Sequence, residues 1–277
     1  MKEKILFLII FSSLTFLYSC DELFDFLNKN NIQISEEEII DGLKTALKVG
    51  TDTAVTETSV TDGYYGNKII KILLPSEADI IINNINTPTL QALGIPELVE
   101  NVILRINRAA EDAAAEAGPI FYSAITNMTI YDGLNILYGQ NPLDSLSDSN
   151  VFDSIAATKY LKGKTFDQLF ELFKPKMYSA LNKKIISNIS ANDAWNTLVN
   201  TYNKVVENDV FGLLNLKKVN TDLGKHVTNK ALEGLFYIVS VEEKKIRLDP
   251  KQWSISILQK IFGFVKDNPD INAVSLN

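Results

Sequence analysis

Apolar residues recur every three to four positions along most of the chain, which is the period of an amphipathic α-helix. The first such stripe, formed by Ile39, Leu43 and Leu47, follows a capping box made by Ser35 and Glu38. A capping box marks the first turn of a helix, because its two side chains satisfy backbone N–H groups that have no partner within the helix. The pattern therefore predicts a helix that begins at Ser35.

Glycine and proline divide the pattern further. Gly42 and Gly50 lie within the first predicted helix and indicate close approach of a neighbour or a kink. Pro96 is placed to begin a long helix that ends near Gly118, and Pro175 is expected to kink or divide a later one. The remaining helical patterns cover 76–83, 151–161, 164–186, 191–206, 222–247 and 252–265, with two more helices that begin at Pro119 and near Thr129.

Signals for strands are scarce. The apolar run 68–74, which ends before Pro75, is the best candidate for a short extended segment. The fold class predicted is therefore all-α, a compact multi-helix bundle of about eight to ten helices. One domain is expected over 35–265, with a mobile connection near 140–150, where Asn, Ser, Asp and Pro are frequent, and a C-terminal tail at 266–277.

The N-terminal pattern differs from the rest. Lys2 and Lys4 precede an apolar run that is too short to span a bilayer, and the run leads to Leu17-Tyr18-Ser19-Cys20. This order is typical of an export signal, and its end resembles the lipobox of bacterial lipoproteins. The resemblance implies cleavage after residue 19, lipidation of Cys20 with acyl chains such as palmitate, and a tether at 20–34. The alternative is an ordinary secretory signal in which the cysteine is incidental.

Composition narrows the chemistry available to the chain. A net charge of −7 argues against a nucleic-acid partner, since such proteins usually present a basic face. One cysteine and one histidine, His226, remove thiolate zinc clusters, iron–sulfur centres and most histidine-based metal or acid–base sites. We therefore expect no metal site and no cofactor, and we expect His226 to be a surface or capping residue.

Several segments also have a characteristic order over about residues 35–250. They include Asp62-Gly63 through Gly66-Asn67, Ile72 to Pro75, Ile106-Asn107-Arg108-Ala109-Ala110-Glu111, Thr158-Lys159-Tyr160-Leu161, His226 to Phe236, and Glu242 to Arg247. In these segments the chain resembles the bacterial family called domain of unknown function 4197, whose members are exported helical proteins without an established activity. The resemblance implies one helical domain in the cell envelope and brings no catalytic residues.

Charged residues within these segments are the candidates for a site. On the predicted helix from Pro96, apolar residues occupy two sides, which would leave Arg108 and Glu111 partly buried between layers. Either they form a structural ion pair or they contribute to a polar pocket. The candidate polar cluster comprises Arg108, Glu111, Lys159, Lys230, Glu243 and Arg247.

These observations favour a lipid-anchored envelope protein that acts without catalysis, as an interaction or binding module. Its partners would be the membrane, through the acyl chains on Cys20, and an envelope protein or an apolar ligand. The alternative is a carrier of an apolar ligand or lipid in a pocket between helices, which requires a closed cavity of roughly 300–1,000 Å³. An enzyme is the third hypothesis, and it requires carboxylates or lysines with perturbed pKa values in one cleft. The sequence is compatible with an anchor in either the inner or the outer membrane.

Overall fold

The computed structural model describes residues 34–131, 133–143, 152–208, 216–220 and 222–267. Within these ranges the chain forms ten α-helices and two short 3-10 helices, at Ser76–Ala78 and Pro250–Gln252. The α-helices are α1 (Glu36–Thr58), α2 (Asp79–Asn84), α3 (Pro88–Ala92), α4 (Ile95–Ala114), α5 (Ala117–Asn127), α6 (Gly133–Leu137), α7 (Ala156–Asn182), α8 (Ala191–Asn208), α9 (Leu223–Leu248) and α10 (Ser256–Asp267).

The predicted all-α bundle is confirmed for the described residues, which form no strand apart from one isolated bridge between Ile186 and Ile189. The signal region with Cys20, nearly all of the tether, most of the connection near 140–150 and nearly all of the C-terminal tail lie outside the described residues. Within the described ranges, every helix is too short or too polar to span a membrane.

Helix α9 occupies the centre of the bundle. It packs against α1 on one side and α7 on another, while α5 and α10 pack against α1, and α4 packs against α7 and α8. The apolar side chains of these helices form one buried cluster. Removal of this surface from water stabilises the fold at about 25 cal/mol per Å². The central position of α9 explains why apolar residues surround much of its circumference.

Gly50 allows the close contact between α1 and α9. A Cβ atom at this position would lie 3.0 Å from the side chain of Val239 and 3.2 Å from its carbonyl oxygen. The close approach expected at Gly50 is thus confirmed. The N-terminus of α1 is also as predicted, because Ser35 Oγ accepts from the Glu38 N–H while the Glu38 carboxylate accepts from the Ser35 N–H.

Helix α7 departs from the sequence prediction. Residues 156–161 and 164–182 of the two predicted patterns belong to one continuous helix, and Pro175 does not divide it. Proline removes the N–H that would bond the carbonyl group of Glu171. Both residues are exposed, so water can satisfy that carbonyl group. The prediction of two helices separated at 162–163 was therefore wrong, since α7 continues through those residues. Pro175 does not divide the helix, because a proline on the solvent face costs less than one in the core.

The candidate extended segment near 68–74 forms no strand. Residues 68–70 form a turn, and residues 71–75 have no regular structure. Ile72 is nevertheless buried, and the side chain of Asn107 on α4 satisfies its backbone. Asn107 Oδ1 accepts from the Ile72 N–H and Asn107 Nδ2 donates to the Ile72 oxygen, each at 2.8 Å. A carboxamide thus replaces the strand that would otherwise pair with this segment.

We expect Gly50→Val to lower the free energy of unfolding by about 1–3 kcal/mol, because the added side chain overlaps Val239 and forces α1 away from α9. Gly263→Val is the matched control, since no atom lies within 4 Å of a Cβ atom at that helical position. Urea unfolding measures both variants. Equal losses in the two would contradict the close contact.

Candidate functional site

The first polar cluster surrounds Glu111, a carboxylate with a side-chain exposure of only 5%. Its Oε1 accepts hydrogen bonds from the backbone N–H groups of Tyr64 and Tyr65, both at 3.1 Å. Its Oε2 accepts from Arg108 Nη1 at 2.7 Å. We call Asp62, Tyr64, Arg108 and Glu111 the loop-anchor cluster, because together they fix the loop after α1 to α4.

Arg108 connects the buried and exposed sides of the loop-anchor cluster. Its Nη2 lies 2.6 Å from Oδ1 of Asp62, whose side chain is largely exposed. Partial burial acts to lower the pKa of Arg108, but the hydrogen bonds and charges of Glu111 and Asp62 outweigh it and raise the pKa above its ordinary value. The guanidinium group therefore stays charged throughout the range in which the protein folds.

Tyr64 joins the loop to α9. Its hydroxyl group donates to the carbonyl oxygen of Ala231 at 2.7 Å, and burial raises its pKa. Gly63 precedes it, and a Cβ atom at that position would lie 2.5 Å from the carbonyl oxygen of Glu57, so the turn requires glycine. The family-like segment at 62–67 thus meets the segment at 106–111 in space.

The second polar cluster surrounds Glu243 on α9. Its Oε1 accepts from the Ala157 N–H at 3.0 Å, and its Oε2 accepts from the N–H and the hydroxyl group of Thr158 at 2.7 and 2.6 Å. These N–H groups belong to the first turn of α7, where no partner exists within the helix. Glu243 therefore caps α7 from another helix, at the end where the helix dipole favours a negative charge.

Arg247 completes this cap cluster, which comprises Ala157, Thr158, Glu243 and Arg247. Its Nε donates to Glu243 at 2.9 Å, and both side chains are almost fully buried. Its two terminal nitrogens donate to the carbonyl oxygens of Leu137 and Ile136, at the C-terminal end of α6. One ion pair on α9 thus satisfies the start of one helix and the end of another.

The six candidate residues do not form one pocket. Arg108 with Glu111, and Glu243 with Arg247, form two buried pairs, and no hydrogen bond among the described residues joins one pair to the other. Lys159 turns to the surface and pairs with Asp153 at 2.7 Å. Lys230 pairs with Glu233 at 2.8 Å, also at the surface. The structure therefore brings four of the six together in pairs and leaves the two lysines apart.

Lys230 lines an open groove of about 330 Å³ between the segment 69–74 and the start of α9. Ile69 and Leu73 are exposed beside it, at 67% and 60%. His226 Nε2 lies 2.9 Å from the carbonyl oxygen of Leu73, so the single histidine of the chain holds this segment to α9. The groove combines an apolar wall with a charged rim.

Two residues with roles like those of the candidates were missed as site residues. Arg105 donates through Nη1 to the carbonyl oxygens of Ile186 and Ile189, both at 2.6 Å, in the connection between α7 and α8. Asn107 holds the segment at Ile72 in the same manner. The sequence signal was present, because Asn107 lies three or four residues from Ile103 and Ala110, on an apolar face where a polar group needs a partner.

The chemistry of both clusters is therefore that of anchoring. Each carboxylate oxygen of Glu111 and Glu243 accepts at least one hydrogen bond from the protein, and all but one of these oxygens accept two. A general base needs a lone pair that can reach a substrate proton. In the described part of the chain, no three His, Cys, Asp or Glu side chains are grouped as metal ligands. Cys20 lies outside the described residues.

We expect Glu243→Gln to lower the free energy of unfolding by about 3–5 kcal/mol, because it leaves the buried Arg247 without its counter-charge and removes an acceptor from the start of α7. Glu233→Gln makes the same change in an exposed pair on the same helix, and its loss should not exceed about 1 kcal/mol. Thermal and urea unfolding measure the free energy of unfolding of both variants. Similar losses would refute the cap assignment.

A comparison with protein-family models finds a match that covers most of the chain. The model of the family described as protein of unknown function (DUF4197) matches residues 33–263, which include both clusters and all helices except the end of α10. No curated protein and no solved structure matches the chain. Because the match covers most of the chain, this protein belongs to the DUF4197 family.

Proposed function

We propose that this protein is a lipid-anchored component of the bacterial cell envelope whose helical domain acts by binding a partner. The observation that carries the proposal is the sequence Leu17-Tyr18-Ser19-Cys20, which follows two lysines and an apolar run and contains the only cysteine of the chain. A thiol at this position is the acceptor for a diacylglyceryl group in lipoproteins that have such a motif.

The distance from Cys20 to the first helix suits an anchor on a tether. Residues 21–34 separate the cysteine from the capping box at Ser35, and a fully extended chain of that length would reach roughly 45 Å. Two or three acyl chains hold a protein on a bilayer far more firmly than one, which alone binds reversibly. The acidic domain gains little attraction from anionic headgroups, so the acyl chains would supply the binding energy.

The contacts of the buried charged residues support a binding function rather than a catalytic one. The four charged residues of the two buried pairs hold loops and helix ends in place, and their polar atoms are committed to the protein. Such fixed loops provide a rigid surface, which lowers the entropy cost of binding a partner. The carrier alternative needs a closed apolar cavity, whereas the groove beside Lys230 is open and has a charged rim.

We expect Cys20→Ser to abolish palmitate labelling and to move the protein from the membrane pellet to the supernatant, because serine offers no thiol for the thioether bond. Ser19→Ala is the matched control, since it keeps a small residue before the cysteine and should retain labelling. Metabolic labelling and membrane fractionation measure both. Labelling that persists in Cys20→Ser would overturn the proposed anchor.

A further inference from the structure

One face of α8 has a stripe of asparagines. Asn192, Asn196, Asn200 and Asn203 follow at intervals of four, four and three residues, which places their side chains in one row along the helix. Asparagine is a weaker helix former than alanine, lysine or glutamate, so this row reduces the stability of the helix that contains it. A row of four on one face therefore requires a reason other than helix formation.

The asparagine row lines an open groove of about 680 Å³, which we call the asparagine groove. Its other walls are the C-terminal end of α7, with Tyr178 and Asn182, and the segment that leads into α9, with Val219 and Asn220. This volume lies within the range typical of ligand sites. Asparagine is thus the most frequent residue in its lining, with six of fifteen positions.

Asn203, at one end of the row, already binds the main chain of a segment that is not helical. Its Oδ1 accepts from the Val219 N–H and its Nδ2 donates to the Val219 oxygen, both at 3.0 Å. Asn107 makes the same paired contact with Ile72 elsewhere in the bundle. In both cases the bound residue belongs to a segment without regular structure. The protein therefore uses asparagine twice to hold a non-helical main chain.

The central amides of the row are available for the same contact. Asn196 and Asn200 are exposed, and the side chain of neither forms a hydrogen bond with another described residue. The charged residues of the groove are engaged: Lys218 pairs with Glu207 at 2.7 Å, and Asp193 accepts from the Ser190 N–H at 3.1 Å.

Asp222 of the same groove binds the Tyr178 hydroxyl group at 2.7 Å. Burial alone would raise the pKa of Asp222, but hydrogen bonds from Tyr178 and from backbone N–H groups lower it below its ordinary value. The charged side chains of the asparagine groove are thus paired within the protein, whereas the uncharged carboxamides of Asn196 and Asn200 are left to bind a ligand. Neutral donors and acceptors favour an uncharged ligand that itself presents both.

We propose that the asparagine groove binds an extended polypeptide segment of a partner protein through its main chain. The proposal deepens the binding function proposed above by naming the class of partner. Asn196 and Asn200 lie about 6 Å apart along the helix axis, and alternate residues of an extended chain are roughly 6.6 Å apart. Each carboxamide can therefore pair with the N–H and C=O groups of every second residue of the partner, as Asn203 pairs with Val219.

This mode of binding predicts a periodicity of two. In an extended chain, residues i and i+2 present both backbone groups to the same edge, and residue i+1 presents its groups to the opposite edge. Methylation of the backbone nitrogen at i or i+2 should therefore weaken binding, whereas methylation at i+1 should be tolerated. Recognition through a glycan or through side chains alone would not alternate in this way.

The test uses the full chain in detergent and a bead library of random ten-residue peptides. The peptide most strongly enriched is synthesised, and its affinity is measured by fluorescence anisotropy. We expect the double variant Asn196→Ala/Asn200→Ala, and also Asn200→Asp, to weaken binding about tenfold or more, because aspartate keeps the shape but loses the donor. Asn83→Ala, at an exposed helical asparagine outside the groove, should leave the affinity unchanged.

Circular dichroism and urea unfolding establish that the variants fold, and the methylated peptides test the same contact without any change to the protein. Absence of an enriched peptide, an affinity that the double variant does not reduce, or methylation effects without alternation would overturn the proposal. Binding of N-acetylglucosamine hexamer in place of peptide, with loss in the double variant, would assign the groove to a glycan instead. None of these results affects the labelling of Cys20. The proposed lipid anchor and the proposed peptide-binding groove can therefore be refuted independently.

Discussion

Every non-helical segment that enters the core of a helical bundle must find partners for its backbone N–H and C=O groups, because no neighbouring strand supplies them. In this protein, polar side chains on the longer helices supply them. Glu111 and Asn107 on α4 hold the loop after α1 and the segment at Ile72, while Glu243 and Arg247 on α9 hold the start of α7 and the end of α6. The packing of the apolar surfaces depends on these contacts, since they fix the start of α7, the end of α6 and the positions of two connecting segments.

The buried charges also determine how stability is distributed. A buried ion pair costs desolvation energy that its own attraction barely offsets, and it becomes favourable when further hydrogen bonds satisfy both partners. Glu243 and Arg247 meet this condition, because each also binds backbone groups of another element. Loss of one partner would expose a whole set of unpaired groups at once. The pair therefore couples α6, α7 and α9, and local opening of one should weaken the others.

The sequence alone was sufficient for the fold class and for most helix starts, because these depend on local patterns such as the capping box at Ser35. It failed at 162–163, where a break was predicted and the helix continues, and it could not decide whether Pro175 divides that helix, because this depends on whether the freed carbonyl group faces water. For the site, local spacing placed Arg108 beside Glu111 and Glu243 beside Arg247. It could not show that Lys159 and Lys230 lie at the surface and pair there with Asp153 and Glu233, since that depends on how the helices pack and on the rotamer that each lysine adopts.

Two asparagines of this bundle make the same kind of contact with the main chain. Buried at position 107 and half-buried at position 203, asparagine binds the main chain of a segment that is neither helix nor strand. A carboxamide is suited to this task because it offers a donor and an acceptor side by side, without the desolvation cost of a charge. The same property makes an exposed row of carboxamides insensitive to the side chains of whatever it binds. A groove built in this way would select a partner by the extended shape of its backbone, and sequence preference would have to come from the walls.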